Sequence, residues 1–254
     1  MEAKKLLEKI KRSLHNHSIV EGEVNRVDRY LGSEGSYKAS MAGQCYLKHW
    51  FAIFKPEEAQ PIPKRSLRIM RLGTIIHDEI ETAIKEFFPK ESVITEGNIE
   101  LKEFKVRGHY DLLYFDSKES AIIVDFKTMG SFPWKTQFGR DKRLRHEKSG
   151  YNLQLATYAM GVLREFPNIK NIKMLLIYYN KDTSAMQFKE VDQSWITKAK
   201  MYWGLLNTFM DEEYKFEPED ANFAGYYYNR TPIEDWECRY CSFNHICEET
   251  NFKK

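Results

Sequence analysis

Apolar positions recur along this chain with two different periods, and the switch between them marks its elements. Between residues 66 and 88, Leu67, Met70, Ile76, Ile80 and Ile84 fall on one side of a helix, with Gly73 among them. His77 lies on that side too, one residue after Ile76. Three strand-like runs follow, at residues 92–101, 105–115 and 121–127. Asp116, Ser117, Lys118, Glu119 and Ser120 read as a hairpin turn between the last two.

Upstream, Leu6, Leu7, Ile10 and Leu14 have the spacing of an amphipathic first helix. Residues 33–40 are loop-like, and Ser40 is placed to cap a helix running from residue 45 to 54. Pro56, Pro61 and Pro63 then break the chain. Downstream, residues 151–166 and 193–209 read as helices, and 172–179 and 185–191 as strands. Strands flanked by helices on both sides, with one hairpin in the middle, predict an α/β sandwich around a mixed central sheet.

Composition sets few further limits. With 254 residues, 42% hydrophobic and 30% charged, the chain is long enough for a full core. No apolar run approaches the roughly 20 residues that span a bilayer, so no membrane partner is expected. The first residues lack a signal-peptide core, so a cytoplasmic location is expected. A net charge of +2 hides an uneven distribution. Lys135, Arg140, Lys142, Arg143, Arg145 and Lys148 stand against only Asp141 and Glu147, whereas residues 211–220 carry six acids and one lysine. A basic run can be no more than a solvated face. Its place after the strand ending in Asp125, Phe126 and Lys127 favours phosphate contact, with Phe132 and Trp134 at its start to stack a base.

The candidate chemistry lies in the strand pair. Gly108, His109, Tyr110 and Asp111 open one apolar stretch, and Asp125, Phe126, Lys127 and Thr128 close the next. Two carboxylates and a lysine at the edges of neighbouring strands are what metal-dependent cleavage of a phosphodiester requires. Asp111 and Asp125 are hard oxygen donors able to share one Mg²⁺ or Mn²⁺ ion. The Phe126 carbonyl can add a third oxygen. His77 would supply a nitrogen, which makes Mn²⁺ as suitable as Mg²⁺. Side chains alternate along a strand, so Lys127 projects on the side of Asp125, where it can orient water or stabilise developing charge. Gln154 and Tyr158, four apart, share one helix face. Singly, each of these residues has a bland alternative: a surface acid, an interior histidine, an exposed lysine.

Their order is more specific. Gly73-x3-His77, Gly108-x2-Asp111, Asp125-x-Lys127 and Gln154-x3-Tyr158 together resemble the RecB-like branch of the PD-(D/E)xK nuclease superfamily. The resemblance implies a restriction-endonuclease-like core, divalent-metal chemistry and DNA as substrate. It also implies that Gln154 and Tyr158 position the nucleic-acid strand and the lysine. The expected organisation is an N-terminal helical segment (1–65), a nuclease core (66–215) and a cysteine-rich segment (216–254).

Four cysteines complete the inventory: Cys45, and then Cys238, Cys241 and Cys247. In an intracellular chain such clustering favours metal over disulfides. Zn²⁺ and an iron–sulphur cluster both suit four thiolates. One distant cysteine joined to a C-terminal group of three resembles the iron–sulphur subset of RecB-like nucleases, which includes CRISPR-associated exonucleases and AddB-type nuclease domains. That resemblance implies [4Fe-4S], with Zn²⁺ as the alternative, in a lobe joining both ends of the chain. Closing so long a ring would stabilise the fold by several kcal/mol. The expected activity is exonucleolytic cleavage of DNA, at single-stranded ends. The alternatives are a nuclease subunit serving an integrase or helicase, since the chain has no Walker motif of its own, and an inactive DNA-binding module.

Overall fold

A computed structural model of the chain describes residues 36–140, 149–210, 227–228, 231–232 and 235–247. A six-stranded sheet lies at its centre. The strands are β1 (Tyr37–Lys38), β2 (Val93–Leu101), β3 (Val106–Phe115), β4 (Ser120–Met129), β5 (Asn171–Asn180) and β6 (Met186–Val191). Around it stand α1 (Tyr46–Phe54), α2 (Lys64–Phe87), α3 (Ser131–Phe138), α4 (Ser149–Glu165) and α5 (Ser194–Met210). A short ribbon, β7 (Tyr227–Tyr228) with β8 (Thr231–Pro232), and helix α6 (Asp235–Arg239) follow. The expected helix at residues 6–14 lies outside the described residues.

The sheet is mixed. β3 pairs antiparallel with β2 and β4, β4 runs parallel to β5, and β6 returns antiparallel as the far edge. The β3–β4 hairpin closes where the Asp116 and Ser117 amides donate to the Ser120 carbonyl at 3.0 and 3.1 Å. β1 and β4 both pair with the edge of β3 that β2 does not use. β1 takes Val106 and Arg107, and β4 takes Leu112 to Phe115. Between them, residues 108–111 have no strand partner on that edge among the described residues. Among these residues, the ladder on that edge is interrupted where the Gly108-x2-Asp111 motif lies.

Helices cover the two faces unequally. On one, α4 is buried continuously from Asn152 to Val162, held between the sheet and α5. α5 contributes Trp195, Ala199, Tyr202, Trp203 and Leu206, the spacing of one helical face. The Trp203 indole donates to Thr157 Oγ1 at 2.8 Å, which satisfies both polar groups in the core. On the other face, Ile80 and Ile84 of α2 pack over Leu112, Val124 and Phe126. Ile84 is the one buried residue among the 24 of α2, and with Ile80 it places the apolar cover of this helix in its C-terminal half.

Several expectations need correction. Ser40 does not cap α1. It lies in a 3-10 turn at Ala39–Met41, and Cys45 holds the position before the helix. The segment read as loop contains β1. The start of the basic segment, for which no element is expected, is helical, as α3.

Candidate active site

Two glycines bring the site's elements together. A Cβ added to Gly73 would lie 3.0 Å from Thr128 Oγ1, so glycine lets α2 approach β4 closely. One turn later, that approach delivers His77 to the opening in the sheet. A Cβ on Gly108 would lie 2.7 Å from Ala39 Cβ and 2.8 Å from Tyr158 Cε1. Glycine there admits the Tyr158 ring beneath the opening.

Asp111 marks an irregularity in β3. Tyr110 and Leu113, three residues apart, both join the core under α4, whereas Leu112 joins the cluster under α2. The in–out alternation therefore slips at Asp111. On β2, Glu96 occupies the matching place with φ of 49°, between the pairs Thr95–Leu112 and Gly97–Tyr110. The β3–β4 ladder ends at Leu112–Val124, and beyond it the Phe126 amide donates instead to Asp111 Oδ2 at 2.5 Å. A residue's N–H and C=O point to the same side of a strand. The Phe126 carbonyl thus faces the same opening, within hydrogen-bonding reach of the His77 ring. His77 Nδ1 is 3.8 Å from Asp111 Oδ2.

Asp125 and Lys127 project together, as the period of two requires. Lys127 Nζ is 2.6 Å from Asp125 Oδ2 and donates to Gln154 Oε1 at 2.9 Å. Gln154 Nε2 donates to Tyr158 OH at 2.9 Å and to Asp125 Oδ1 at 3.3 Å. The Tyr151 ring, three residues before Gln154, lies 4.7 Å from the ammonium. Sequence reasoning missed Tyr151, although its spacing on the face of Gln154 and Tyr158 carried the signal. It also missed Glu96, an acid that a left-handed backbone sets beside Asp111.

Electrostatics follow from this crowding. Burial first, and then the Asp125 carboxylate, push Asp111 up to about 8. Glu96 is raised by burial and by Glu81. Burial lowers His77 and outweighs the opposing pull of Asp125. For Lys127, burial would depress the ammonium, but Asp125 outweighs it and the net shift is upward. The lysine is therefore held charged against a buried carboxylate.

The donor set suits a hard divalent cation. Asp125 is buried with the Lys127 ammonium beside its Oδ2, and burial first, then the Asp125 carboxylate, push the neighbouring Asp111 carboxyl up. A cation between the two carboxylates would relieve that crowding. Among the described residues, however, no three His, Cys, Asp or Glu side chains converge into a finished cage. The charge now beside Asp125 is the Lys127 ammonium.

The predicted nucleic-acid contacts fare unevenly. Trp134 is half-buried and packs on Phe138, centroids 4.8 Å apart, and Phe138 in turn meets Tyr178. It is a packing residue rather than a free stacking surface. Phe132, by contrast, is 80% exposed. Arg140 is exposed at the end of the described segment. Lys142, Arg143 and Arg145 lie outside the described residues.

The cysteines are brought partly together. Phe243 is buried against Ala52 and Ala59 and stacks on Phe51 at 5.6 Å, while the Gln60 amide donates to the Ser242 carbonyl at 2.9 Å. This docks the C-terminal segment on α1 and sets Cys241 and Cys247 within electrostatic reach of Cys45. Burial first, and those two neighbours with it, push the Cys45 thiol up to about 12, against the Lys48 and Leu47 amides at the start of α1. Cys238 joins the same turn through its carbonyl, which accepts from the Cys241 amide at 3.1 Å.

Comparison with known proteins places this geometry. The family model of the PD-(D/E)XK nuclease superfamily matches residues 63–248. The crystal structure of SSO0001 superimposes with a TM-score of 0.54 at 18% identity, covering 95% of this chain and 97% of that one, which shows a shared fold. An exonuclease candidate from Eubacterium rectale gives a TM-score of 0.43 at 13% identity, over 84% of this chain and 92% of that one. An alkaline exonuclease from Laribacter hongkongensis gives 0.37 at 14%, over 73% and 91%. No curated protein sequence matches the chain significantly. No described helix is long and apolar enough to cross a membrane. Its sheet, its ordered motifs and a match spanning most of its length establish that the chain belongs to the PD-(D/E)XK nuclease superfamily.

Proposed function

We propose that this protein is a metal-dependent DNA exonuclease of the RecB-like branch, hydrolysing phosphodiester bonds at single-stranded ends. The observation that carries the proposal is the buried Asp125–Lys127–Gln154 network beside Asp111, at a gap in the sheet. Asp111, Asp125 and the Phe126 carbonyl would hold Mg²⁺ or Mn²⁺, with His77 as nitrogen donor. When bound, the cation supplies Lewis-acid polarisation and an acidified water.

The chain's own groups do the rest. Asp125 holds Lys127 charged, and Gln154 fixes the direction of its ammonium. That preorganised charge is aimed at the phosphate oxygens, where negative charge grows in the transition state. Tyr158 and Tyr151 restrain Gln154 and Lys127 from the α4 side. The choice of ends over internal bonds rests on the motif order and the cysteine quartet, which resemble RecB-like strand-end processors.

Cys45, Cys238, Cys241 and Cys247 would hold a [4Fe-4S] cluster, for which Zn²⁺ is the alternative. The docking of Cys241 and Cys247 near Cys45 supports a shared centre. Iron and acid-labile sulphide in protein purified without air are the expected finding, and zinc without iron would replace the cluster in this account.

End-labelled linear and covalently closed single-stranded DNA test the activity. With Mn²⁺ or Mg²⁺, the linear strand should be degraded from an end and the circle left whole. Cleavage of the circle would make the protein an endonuclease. No cleavage of either would leave a DNA-binding module.

A further inference from the structure

We propose that the N-terminal half of α2 is the track along which a single polynucleotide strand runs to the opening in the sheet, an inference that rests on the nuclease reading above. Charge is arranged along this helix against its own dipole. Lys64, Arg65, Arg68 and Arg71 come first, with no acid before Asp78, and Asp78, Glu79, Glu81 and Glu86 come last, with only Lys85 among them. A helix selected for stability alone would carry the reverse order. The observed order concentrates positive potential ahead of the site and keeps acids beyond it.

The same half exposes apolar side chains between its cations. Ile69 is 46% exposed, Leu72 54% and Ile75 48%, while Lys64, Arg65 and Arg68 are exposed beside them. Cations bind phosphate. Uncovered aliphatic side chains suit the faces of unpaired bases, which a duplex hides within its stack. This pairing of chemistries selects a single strand.

Position connects the track to the site. The contact of Gly73 with Thr128 seats this half of α2 at the C-terminal end of β4. At that end Lys181 reaches across, its amide donating to the Met129 carbonyl at 2.8 Å and its ammonium to the Ile69 carbonyl at 3.4 Å. α3 starts there as well, with its Ser131 amide held by Asp182 Oδ2 at 2.7 Å, and its second residue is the exposed Phe132. From Arg65 to His77 the helix rises about 18 Å, close to the length of roughly five stacked nucleotides. Phosphates would follow Arg65 and Arg68, and a base would meet Phe132 before the strand reaches Asp111 and Asp125.

The test measures binding of labelled oligothymidines, from about three to about 12 nucleotides, by fluorescence anisotropy over a range of salt. Ca²⁺ replaces the catalytic cation so that no strand is cut. Wild-type affinity should rise with length until the track is filled. Arg65→Gln with Arg68→Gln should remove most of that rise, weaken the longest oligomer about tenfold and lower the salt slope by about 1.4, which is two phosphate contacts. Phe132→Ala should weaken binding and leave the slope unchanged. Wild-type affinity and slope in the double variant would overturn the proposal and leave this face to a protein partner. A deficit equal at all lengths would also overturn it. The nuclease reading fails separately, if wild-type protein with Mn²⁺ cuts none of these oligomers.

Discussion

Lys127 is the residue on which most of the site's interactions meet. Its ammonium is held between Asp125, Gln154 and the Tyr151 ring, so its position is fixed before any substrate arrives. Removing a preorganised charge of this kind costs roughly 10²–10³-fold in kcat. Lys127→Met should show that loss in single-turnover cleavage with unchanged circular dichroism. Asp111 makes a different prediction. Its folded pKa, about 8, stands above the ordinary carboxylate value near 3.9, so the folded state keeps a proton that the unfolded chain releases. Stability without divalent metal should therefore fall as pH rises from about 4 to about 8 and then level off. Asp111→Asn removes the titration. In EDTA the variant should melt above wild type at pH 9, with the gap closing towards pH 5, and added Mn²⁺ should raise only the wild-type Tm. A variant less stable than wild type at pH 9 would contradict the proposed origin of the shift. These residues were legible in the sequence because two-residue and four-residue spacings translate directly into strand and helix faces. Glu96 was not, since a left-handed residue inside a strand run leaves no periodic trace.

At the scale of elements, close approach decides the geometry. Gly73→Ala should gain helix propensity of about 1 kcal/mol but press α2 away from Thr128 and draw His77 back from Asp111. Cleavage should fall while stability changes little, and Thr128→Ala should restore part of the activity in the double variant. Additive losses would show that the contact does not set the helix position. Gly108→Ala meets two rigid neighbours, the Ala39 Cβ and the Tyr158 ring. It should cost about 1–3 kcal/mol in urea unfolding and lower activity with it. Most element boundaries could be read from the two periods, because long amphipathic runs override local propensity. α3 could not. Pro133 within it argues for a break, yet it is the third helical residue, where the amide has no partner to lose. β1 was hidden for another reason: two residues are too few to show any period.

At the scale of the whole molecule, the described strands explain why the pairing breaks at the site. Among the described residues, β1 and β4 share one edge of β3 and leave residues 108–111 between them without a strand partner, and the apolar cover from α2 comes from Ile80 and Ile84 in its C-terminal half. On the proposed nuclease reading, a strand of nucleic acid would approach the buried carboxylates at this break. No local pattern encodes that gap, which depends on a chain segment some 70 residues away in sequence. The cysteines act at the same scale. If Cys45 and the C-terminal group share one centre, Cys45→Ser should lower iron content and Tm together, by several kcal/mol on the loop-closure argument. Loss of iron with unchanged Tm would remove the staple from this account. The most direct measurement of the central claim is Mn²⁺-dependent cleavage of end-labelled single-stranded DNA by wild type, Asp125→Ala and Lys127→Ala, each verified as folded. Cleavage by wild type and a loss of about 10²-fold or more in each variant is the predicted result. Undiminished cleavage by Asp125→Ala would contradict it.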